Sequence, residues 1–477
     1  MALIMILFPL AMAAVAAMTP SNHWRPWLVP VTAAGHLLLV AVALARPEVT
    51  QGSAWLVLDP LSRIILLQVS LLFLFCSFHT VGYLRYRQEL SNRVFCSCLL
   101  TMLGAMSLVI WSHHLGLMWV AMEATTLATA PLIYFNRTQQ SIEATWKYLL
   151  VGSVGIAMAL FGTFFLAYAS LHEGLDSMLL LEGLLRQAPR MSKPWLQAAF
   201  VLLLVGYGTK MGLAPMHKWK PDAYGEAPSV VGALLAGGVT SCAFLAILRI
   251  QHICHLAGED PFTSPLLLTM GLFSMVVACL FLIGQRDFRR MLAYSSIEHM
   301  GILVLGLGIG RTALFGTMLH VLANGLTKGV LFLSAGNIHR AYRSKSTEVV
   351  FGAMRRLPLS GALFLAAFLA ITGSPPFAPF ISEFSIFNGA LDAGRYVIGG
   401  TFLFLLLVIF IGMSQTVLRV VQGRAPHETA NAEYCDGWLT GAPMVLLMLL
   451  VLALGLYIPA PLRAMLTDAA RFLEGRP

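Results

Sequence analysis

The chain has 477 residues; 58% of them are hydrophobic, only 11% are charged, and the mean hydropathy is +0.78. Because a soluble globular domain carries about 25% charged residues, this composition excludes a soluble protein and indicates an all-α polytopic membrane protein in contact with the lipid bilayer. The formal net charge of +9 is explained by basic loops that face anionic lipid, so nucleic acid is not expected as a partner.

Apolar runs of roughly 17–25 residues, the length that crosses a bilayer as a helix, predict about 14 transmembrane helices, numbered here as spans 1 to 14. They cover residues 2–18, 27–45, 61–83, 94–112, 115–135, 145–169, 196–216, 226–250, 264–284, 291–310, 312–336, 358–388, 395–420 and 441–461. The first run lacks the basic segment and cleavage site of a signal peptide, so we expect it to remain as a helix. The 31 lysines and arginines concentrate in the loops after the odd-numbered spans, which places both termini on the non-cytoplasmic side.

Spans 1 to 3, residues 1–93, carry few ionisable side chains and are expected to act as a scaffold. Asp59 and Pro60 at the start of span 3 are typical of a helix N-terminus. His113 and His114, between spans 4 and 5, are expected at the membrane interface, because no further metal ligand is spaced near them. The seven cysteines form no C-x-x-C cluster, and no glycine-rich nucleotide motif is present. The chain is therefore expected to hold no metal and no redox cofactor of its own.

Span 5 carries one carboxylate, Glu123, and span 7 carries one lysine, Lys210. A charged side chain near the bilayer centre costs about 2.5–3.5 kcal/mol, so we expect the two to pair. At about 4 Å and an effective dielectric constant of about 20, their attraction would be about 4 kcal/mol. Loss of this partner would favour proton release from Lys210. The alternative is a purely structural hydrogen bond from Glu123 to Thr125 or Thr126.

Two spans are interrupted by proline, which removes a backbone donor and breaks a transmembrane helix. Pro215 and Pro221 interrupt span 7, and span 12 is interrupted by Pro375, Pro376 and Pro379. The interrupted spans lie five apart, and an odd offset means that the corresponding units cross the membrane in opposite directions. We therefore predict two inverted five-helix repeats with an ion site near the midplane. They cover residues 94–250 and 263–421, and residues 441–477 hold the last helix and the tail.

The second repeat holds several polar side chains. In span 11, His320, Asn324 and Lys328 recur every four residues and so share one helix face. The first and last lie about 12 Å apart along the axis, so water or the asparagine must bridge them. His299 follows a glutamate in span 10, and Glu383 follows the prolines of span 12. All are expected to face the bundle interior, where a polar group is least costly in lipid; interhelical hydrogen bonding alone is the alternative.

Three other regions bear on this series of ionisable residues. Span 8 offers only the hydroxyls of Thr240 and Ser241 before Arg249, which leaves a gap. Residues 171–193 are amphipathic and too polar to cross, so an interfacial helix is expected there. The loop from Arg424 to Asp436 is expected to be solvated and available to a partner. Four charged residues after the break in span 7 suit either a surface ion cluster or a site of proton uptake. They are Lys218, Lys220, Asp222 and Glu226.

Three stretches carry a resemblance to a known family: GTKMGLAPMHKWKPDAYGEAP, MLAYSSIEHMGIL and HVLANGLTKGVLFLSAGNI. They resemble the antiporter-like subunits of respiratory complex I and of multisubunit cation/proton antiporters, and the likeness covers residues 94–420. The run from Gly336 to Phe384 looks specifically like component F of hydrogenase 4.

The resemblance implies a subunit of a bacterial inner-membrane complex that carries protons when a peripheral redox arm turns over. It places nickel–iron and iron–sulfur centres on partner subunits and predicts other membrane subunits as neighbours. Many relatives have a lysine or histidine in span 8, and this chain lacks it. A continuous proton path would therefore need water or His320 in its place. The positions that match the family's proton-carrying residues are Glu123, Lys210, His299, Lys328 and Glu383.

Three functions stay open at this point. The first is a proton-translocating subunit of a complex like hydrogenase 4 or formate hydrogenlyase. The second is a subunit of complex I or of a cation/proton antiporter, which only partner subunits would distinguish. The third is a structural anchor for a redox arm without net transport, which the uncharged span 8 favours and the buried charges oppose.

Overall fold

The structure is a computed structural model, and it describes residues 1–46, 53–176, 178–424 and 434–475. Within these ranges the regular structure is helical, and β pairing is limited to three isolated bridges. Residues 425–433 of the charged loop between spans 13 and 14 lie outside the described residues. The helices are α1 (Ala2–Met18), α2 (Arg25–Ala45), α3 (Pro60–Arg85), α4 (Arg93–Trp111), α5 (Leu115–Ile133), α6 (Gln139–Leu171), α7 (Leu181–Gln187), α8 (Lys193–Met211), α9 (Trp219–Glu226), α10 (Ser229–Leu234), α11 (Thr240–Leu256), α12 (Asp260–Leu282), α13 (Phe288–Ile309), α14 (Ala313–Tyr342), α15 (Ala353–Arg356), α16 (Pro358–Ile371), α17 (Ala378–Asp392), α18 (Tyr396–Val421), α19 (Trp438–Leu456) and α20 (Ala460–Leu473).

Eleven helical segments in the described ranges are long and apolar enough to cross a membrane, and α1 and α16 are shorter apolar helices. A π-helical segment, Leu235–Val239, joins α10 to α11. This joined helix and α14 are buried along their whole apolar window, whereas α18 buries 33% of its window. The joined helix and α14 therefore form the centre of the bundle. Helices that are apolar all round and only partly buried by protein are suited to face lipid, so the chain is a multi-pass membrane protein.

Span 7 is interrupted between α8 and α9. Helix α8 ends at Met211, and Gly212 then adopts a left-handed conformation with φ of +80°, which glycine accepts without steric strain. Pro215 lies in the non-helical stretch that follows, and α9 begins at Trp219. Pro221 differs from the expectation: it lies in the first turn of α9, where its missing N–H has no helical partner to lose. The interruption therefore contains Pro215 and not Pro221.

Span 12 is interrupted in the same way between α16 and α17. Gly373, with φ of +69°, follows the end of α16, and Pro375 and Pro376 lie in the non-helical stretch. Pro379 again differs from the expectation, because it lies in the first turn of α17, a position that proline tolerates well. Both interruptions thus combine a left-handed glycine with proline in the connecting stretch.

Close backbone packing fixes the helices beside each interruption. Helices α6 and α8 approach so closely that a Cβ on Gly206 would lie 2.6 Å from the Ala159 nitrogen. Helices α14 and α17 do the same, since a Cβ on Gly389 would lie 2.6 Å from the Ala313 nitrogen. Small residues that permit such approach are typical of interfaces between transmembrane helices. The two interrupted spans are therefore each anchored against a long helix.

The segment before α8 is less helical than expected. Helix α6 ends at Leu171 and α8 begins at Lys193, and in the described residues between them the α-helix is limited to the seven residues of α7. Leu180 instead forms an isolated bridge with His114, and the Leu181 N–H donates to the His113 carbonyl at 2.7 Å. The segment thus hydrogen-bonds through its backbone to the connection between α4 and α5, whereas an interfacial helix would satisfy these backbone groups within itself.

Candidate functional site

The first polar cluster is centred on Lys210, in the last turn of α8, which is 1% exposed. Its Nζ donates to Thr126 Oγ1 at 2.7 Å and to Tyr148 OH at 2.8 Å. Thr126 belongs to α5 and Tyr148 to α6, so the ammonium group is held between three helices. Hydroxyl oxygens are acceptors that can also donate a proton. The lysine therefore sits at the meeting point of a potential hydrogen-bond relay.

Glu123 reaches this cluster through Thr126. Thr126 Oγ1 donates to Glu123 Oε2 at 3.1 Å, and the two residues lie on one face of α5 because they are three apart. The direct Glu123–Lys210 ion pair expected from the sequence is not formed, since the hydroxyl of Thr126 stands between the carboxylate and the ammonium. The expected pair and the alternative hydrogen bond thus occur together, as one chain of three groups.

Removal of this bridging hydroxyl gives a first testable prediction. Thr126→Val keeps the shape of the side chain but takes one acceptor from Lys210 and the donor from Glu123. Because hydrogen bonds to charged groups contribute about 1.5–3 kcal/mol, we expect the free energy of unfolding to fall by that amount, measured by thermal unfolding in detergent. Thr126→Ser should retain wild-type stability, and so should Thr467→Val at an exposed site. Equal stability of Thr126→Val and the wild type would contradict the bridge.

The second polar cluster is centred on Lys328 in α14, which is 0% exposed. Its Nζ donates to Ser295 Oγ of α13 at 2.7 Å. Glu298 lies three residues further along α13 and so on the same face of that helix. Its Oε2 is buried, has no hydrogen-bond partner among the described residues, and lies 3.8 Å from His299 Nε2. Glu298, to which the sequence analysis assigned no role, therefore contributes a buried carboxylate beside this lysine's hydroxyl partner.

A line of hydrogen bonds continues from α13 to α17. His299 Nδ1 lies 3.1 Å from His320 Nε2, and His320 Nδ1 lies 2.8 Å from Ser382 Oγ. Glu383, the next residue, has a buried Oε1 without a partner. A neutral imidazole donates through one nitrogen and accepts through the other, so the two histidines can pass a proton along this line. His299, His320 and Glu383 also offer ligand atoms that lie within 4.8 Å of one another.

The sequence predicted that Asn324 or water would connect His320 to Lys328 along α14. Among the described residues Asn324 Oδ1 has no hydrogen-bond partner, so this oxygen joins neither residue by a direct protein contact, and a link through Asn324 or water stays a prediction. A second connection runs across helices, because His320 contacts His299 and Lys328 contacts Ser295, both on α13. Helix α13 is thus the element that brings the two ends of the α14 stripe together.

Comparison with known proteins gives a family. The family model described as NADH:quinone oxidoreductase/Mrp antiporter, TM matches residues 112–411. The chain belongs to this family. A curated relative, "Hydrogenase-4 component F homolog" of Methylacidiphilum infernorum, is 33% identical over 418 residues, 86% of each chain.

Solved structures agree with this assignment. A chain of respiratory complex I from Thermus thermophilus with bound aureothin aligns with a TM-score of 0.76 at 28% identity, covering 96% of this chain and 97% of that one. A chain of the Mrp complex from Dietzia sp. aligns with a TM-score of 0.87 at 20% identity, covering 99% and 97%; this second likeness shows the fold alone. The resemblance to antiporter-like subunits and to component F of hydrogenase 4 is confirmed.

The segment matched by the NADH:quinone oxidoreductase/Mrp antiporter family runs from the end of α4 into α18. It contains both interrupted spans and both polar clusters, whereas α1 to α3, α19 and α20 lie outside it. All six ionisable residues singled out in the sequence fall within the match: Glu123, Lys210, His299, His320, Lys328 and Glu383.

Within this family segment, one buried lysine was missed. Asp222 and Glu226 do form a surface ion cluster: Asp222 pairs with Lys147 at 2.8 Å and with Arg290 at 2.9 Å, and Glu226 pairs with Lys345. Lys220, expected either in this cluster or at a site of proton uptake, is 0% exposed and faces the interior. A helix of eight residues gives too little periodicity to show which face of α9 is buried, so the sequence carried no signal for it.

A second feature missed in the sequence is a buried ion pair that links α3 to α11. Arg249 Nε and Nη2 both donate to Asp59 Oδ2, at 3.0 and 2.9 Å, and His113 Nε2 lies 3.1 Å from the same oxygen. Asp59 also accepts from the Ser62 N–H at 2.6 Å, which is the predicted helix-start role. Arg249 donates further to the Ser112 and Ile110 carbonyls, so it also fixes the end of α4.

The loss of this pair should destabilise the protein strongly. Asp59→Ala leaves the guanidinium of Arg249 buried and uncompensated, and breaking a buried pair in this way costs about 3–5 kcal/mol. We expect this decrease in the free energy of unfolding, measured by thermal or denaturant unfolding in detergent. The matched control is Glu182→Ala, which breaks the exposed pair with Arg186 and should change stability by less than about 1 kcal/mol. Similar losses for both variants would contradict this role.

Proposed function

We propose that the chain carries protons across the bacterial inner membrane as an antiporter-like subunit of a redox complex that resembles those containing hydrogenase 4 component F. The observation that carries the proposal is the pair of polar clusters. In them Lys210 and Lys328 contact hydroxyl groups, and His299 contacts the imidazole of His320. Ionisable side chains are costly in the interior of a membrane bundle, and their usual reason is an ion pathway.

The first cluster would act as the loading side of this pathway. When the Glu123 carboxylate is neutralised or moves away, Thr126 loses its acceptor and Lys210 loses the field of the nearby negative charge. Both changes favour the neutral amine, because the ammonium is then left in a low-dielectric site. Proton release from Lys210 would follow, with the proton passing through neighbouring hydroxyl groups.

The second cluster would act as the delivery side. Lys328 is joined to α13 through Ser295, and the two histidines connect α13 to α17. A proton that arrives at His299 can pass to His320, since the two rings are within hydrogen-bond distance. From His320 it can continue toward Glu383, because ligand atoms of the two residues lie within 4.8 Å of one another, a separation that one water molecule can bridge.

We also propose the full membrane arrangement: 14 transmembrane helices, two inverted five-helix repeats at residues 94–250 and 263–421, and both termini on the non-cytoplasmic side. The matching left-handed glycines and proline-containing connections of spans 7 and 12 support the repeats. The two close packings, at Gly206 and at Gly389, support them as well. The excess of basic residues in alternate loops supports the orientation.

The partners would be other membrane subunits and a peripheral redox arm, with nickel–iron and iron–sulfur centres on those partner subunits. The likeness to the hydrogenase-4 component F homolog over 86% of each chain supports this choice. An assembly of the complex I type is the second candidate, because the complex I chain from Thermus thermophilus is 28% identical along nearly its whole length.

The test is proton movement driven by electron transfer in vesicles that contain the purified native complex, followed with an internal pH-sensitive dye. We expect protons to move in excess of those consumed or released by the redox reaction, and an uncoupler to abolish the signal. A complex that transfers electrons at full rate without such movement would act as a structural anchor for its redox arm.

A further inference from the structure

Lys220 is a buried lysine for which the described residues supply no counter-ion. It is the second residue of α9 and is 0% exposed. Its Nζ donates to the Met211 carbonyl at 2.8 Å and to the Ser296 carbonyl at 3.4 Å. Among the residues that the structure describes, no carboxylate lies within 4.0 Å of this ammonium group. An unpaired charge away from water is strongly unfavourable, so its retention requires a reason.

The two carbonyl contacts place Lys220 between the polar clusters. Met211 is the residue after Lys210, and Ser296 is the residue after Ser295, which binds Lys328. The neighbouring Trp219 packs its ring 5.2 Å from that of Tyr148, the phenol bound to Lys210. The Lys220 ammonium thus contacts the backbone beside the first lysine and the backbone beside the partner of the second.

Hydroxyl groups lie close to the buried amine of Lys220. A Cβ on Gly212 would lie 2.6 Å from Lys220 Cδ, so the glycine makes room for the aliphatic stem. The hydroxyls of Ser296 and Tyr224 are both buried beside one another, and the Tyr224 ring lies 5.6 Å from Lys220 Nζ. A hydroxyl group both donates and accepts hydrogen bonds, so these groups can take part in proton transfer to or from the amine.

The helix at the centre of the bundle offers no alternative to Lys220. The joined helix α10–α11 is buried along its apolar window, but the hydroxyls of Thr240 and Ser241 donate to its own Ala236 and Gly237 carbonyls at 2.7 and 2.6 Å. Its first charged residue, Arg249, is engaged by Asp59. In the described part of the chain, the amine between the two clusters is therefore supplied by α9.

We propose that Lys220 is the proton-transfer residue that joins the cluster of Lys210 to the cluster of Lys328. This role rests on the proton transport proposed above and adds the step that crosses between its two sides. As a neutral amine Lys220 accepts the proton that Lys210 releases, and as an ammonium it passes that proton on. One N–H bond breaks at the donor and one forms at the acceptor, with no further reactant.

A purely structural role makes a different prediction. The Met211 carbonyl lies at the C-terminus of α8, where the helix dipole favours a cation, so Lys220 could serve only to satisfy that end. Two substitutions separate the roles. Lys220→Gln keeps an N–H donor without a charge, and Lys220→Arg keeps donors and charge but holds a proton that it does not release. Either variant would satisfy a helix end, and neither can relay a proton.

The experiment compares these variants in the purified complex, with assembly checked by size exclusion and with electron transfer and proton movement followed in vesicles. We expect both to assemble and to lower the rate of proton movement about 100-fold. The matched control is Lys193→Gln, at the start of α8 with its side chain 64% exposed, which should behave as the wild type.

The outcomes are separable from those of the proposed function. Wild-type proton movement in either Lys220 variant would overturn the inference, and so would failure of both variants to assemble, because Lys220 would then be a structural tie. Lys210→Met, measured in parallel, reports on the transport itself. If Lys210→Met loses proton movement and the Lys220 variants keep it, this inference fails alone; if all variants move protons normally, the proposed function fails with it.

Discussion

Substitution of Lys210 by methionine is expected to abolish redox-driven proton movement, lowering its rate about 100-fold or more. Methionine fills nearly the same volume as lysine, so the packing of α8 against α5 and α6 should survive. What disappears is the amine that contacts both Thr126 and Tyr148. Without it, a change in the charge of Glu123 has no basic group on which to act.

The measurement is proton movement in vesicles with the assembled complex, recorded together with electron transfer. Electron transfer that persists or slows along with the loss of proton movement would agree with the proposal. Lys193→Met is the matched control, because Lys193 lies at the opposite end of α8 with its side chain 64% exposed. Unchanged proton movement in an intact Lys210→Met complex would make this lysine structural and would favour the anchor function.

A row of buried charges does not by itself establish coupling between redox chemistry and transport. The geometry narrows the question, because the first cluster is a chain of three groups rather than one ion pair. In such a chain a displacement of any member changes the environment of the other two. Coupling can therefore enter through a shift of α5 or α8, or of α6 through Tyr148, and Lys210 is the group whose contacts all three shifts change.

The main ionisable residues could be predicted from the sequence because a single charge stands out within a long apolar run. Glu123, Lys210 and Lys328 each interrupt such a run, and the structure buries both lysines inside the bundle and leaves Glu123 half-buried. The partners of these residues could not be predicted in the same way. Hydroxyl groups such as Thr126 and Ser295 are common in apolar helices, and which of them faces a lysine depends on helix rotation.

Lys220 and Arg249 show two further limits of sequence reasoning. Lys220 lies in a polar stretch where a charge is unremarkable, and only the non-helical connection between Met211 and Trp219 sets the face of α9 that turns it inward. Asp59 has a helix-start role that the sequence does reveal, but its ion pair with Arg249 joins residues 190 positions apart. Pairing over such a distance depends on the packing of α3 against α11, for which local patterns carry no information.

The prolines show how local rules apply once helix boundaries are known. All five were expected to interrupt a helix, since proline in a helix interior removes a hydrogen bond. Pro221 and Pro379 do not, because after each interruption a new helix begins one or two residues before the proline, which therefore lies in its first turn. The sequence therefore located both interrupted spans correctly and placed two of the prolines on the wrong side of the helix start.

Substitution of His320 by glutamine is expected to block delivery of protons, lowering proton movement about 100-fold while the first cluster stays intact. Glutamine can accept and donate hydrogen bonds, so contacts with His299 and Ser382 are partly kept. It cannot take a proton at one atom and release it from another as an imidazole does. The loss would therefore report proton relay rather than packing, provided that the complex assembles as the wild type does.

The control for this variant is His172→Gln, at a site where the histidine side chain is 50% exposed; its proton movement should equal that of the wild type.

The side chains of His299, His320 and Glu383 would also permit a metal ion, since their ligand atoms lie within 4.8 Å of one another. A chelator separates the two roles. A relay of imidazoles keeps working when a chelator is added, whereas a required metal ion would be removed. Proton movement that a chelator abolishes in the wild-type complex would therefore contradict the relay. The His299–His320 distance of 3.1 Å is that of a direct hydrogen bond, and this contact favours the relay.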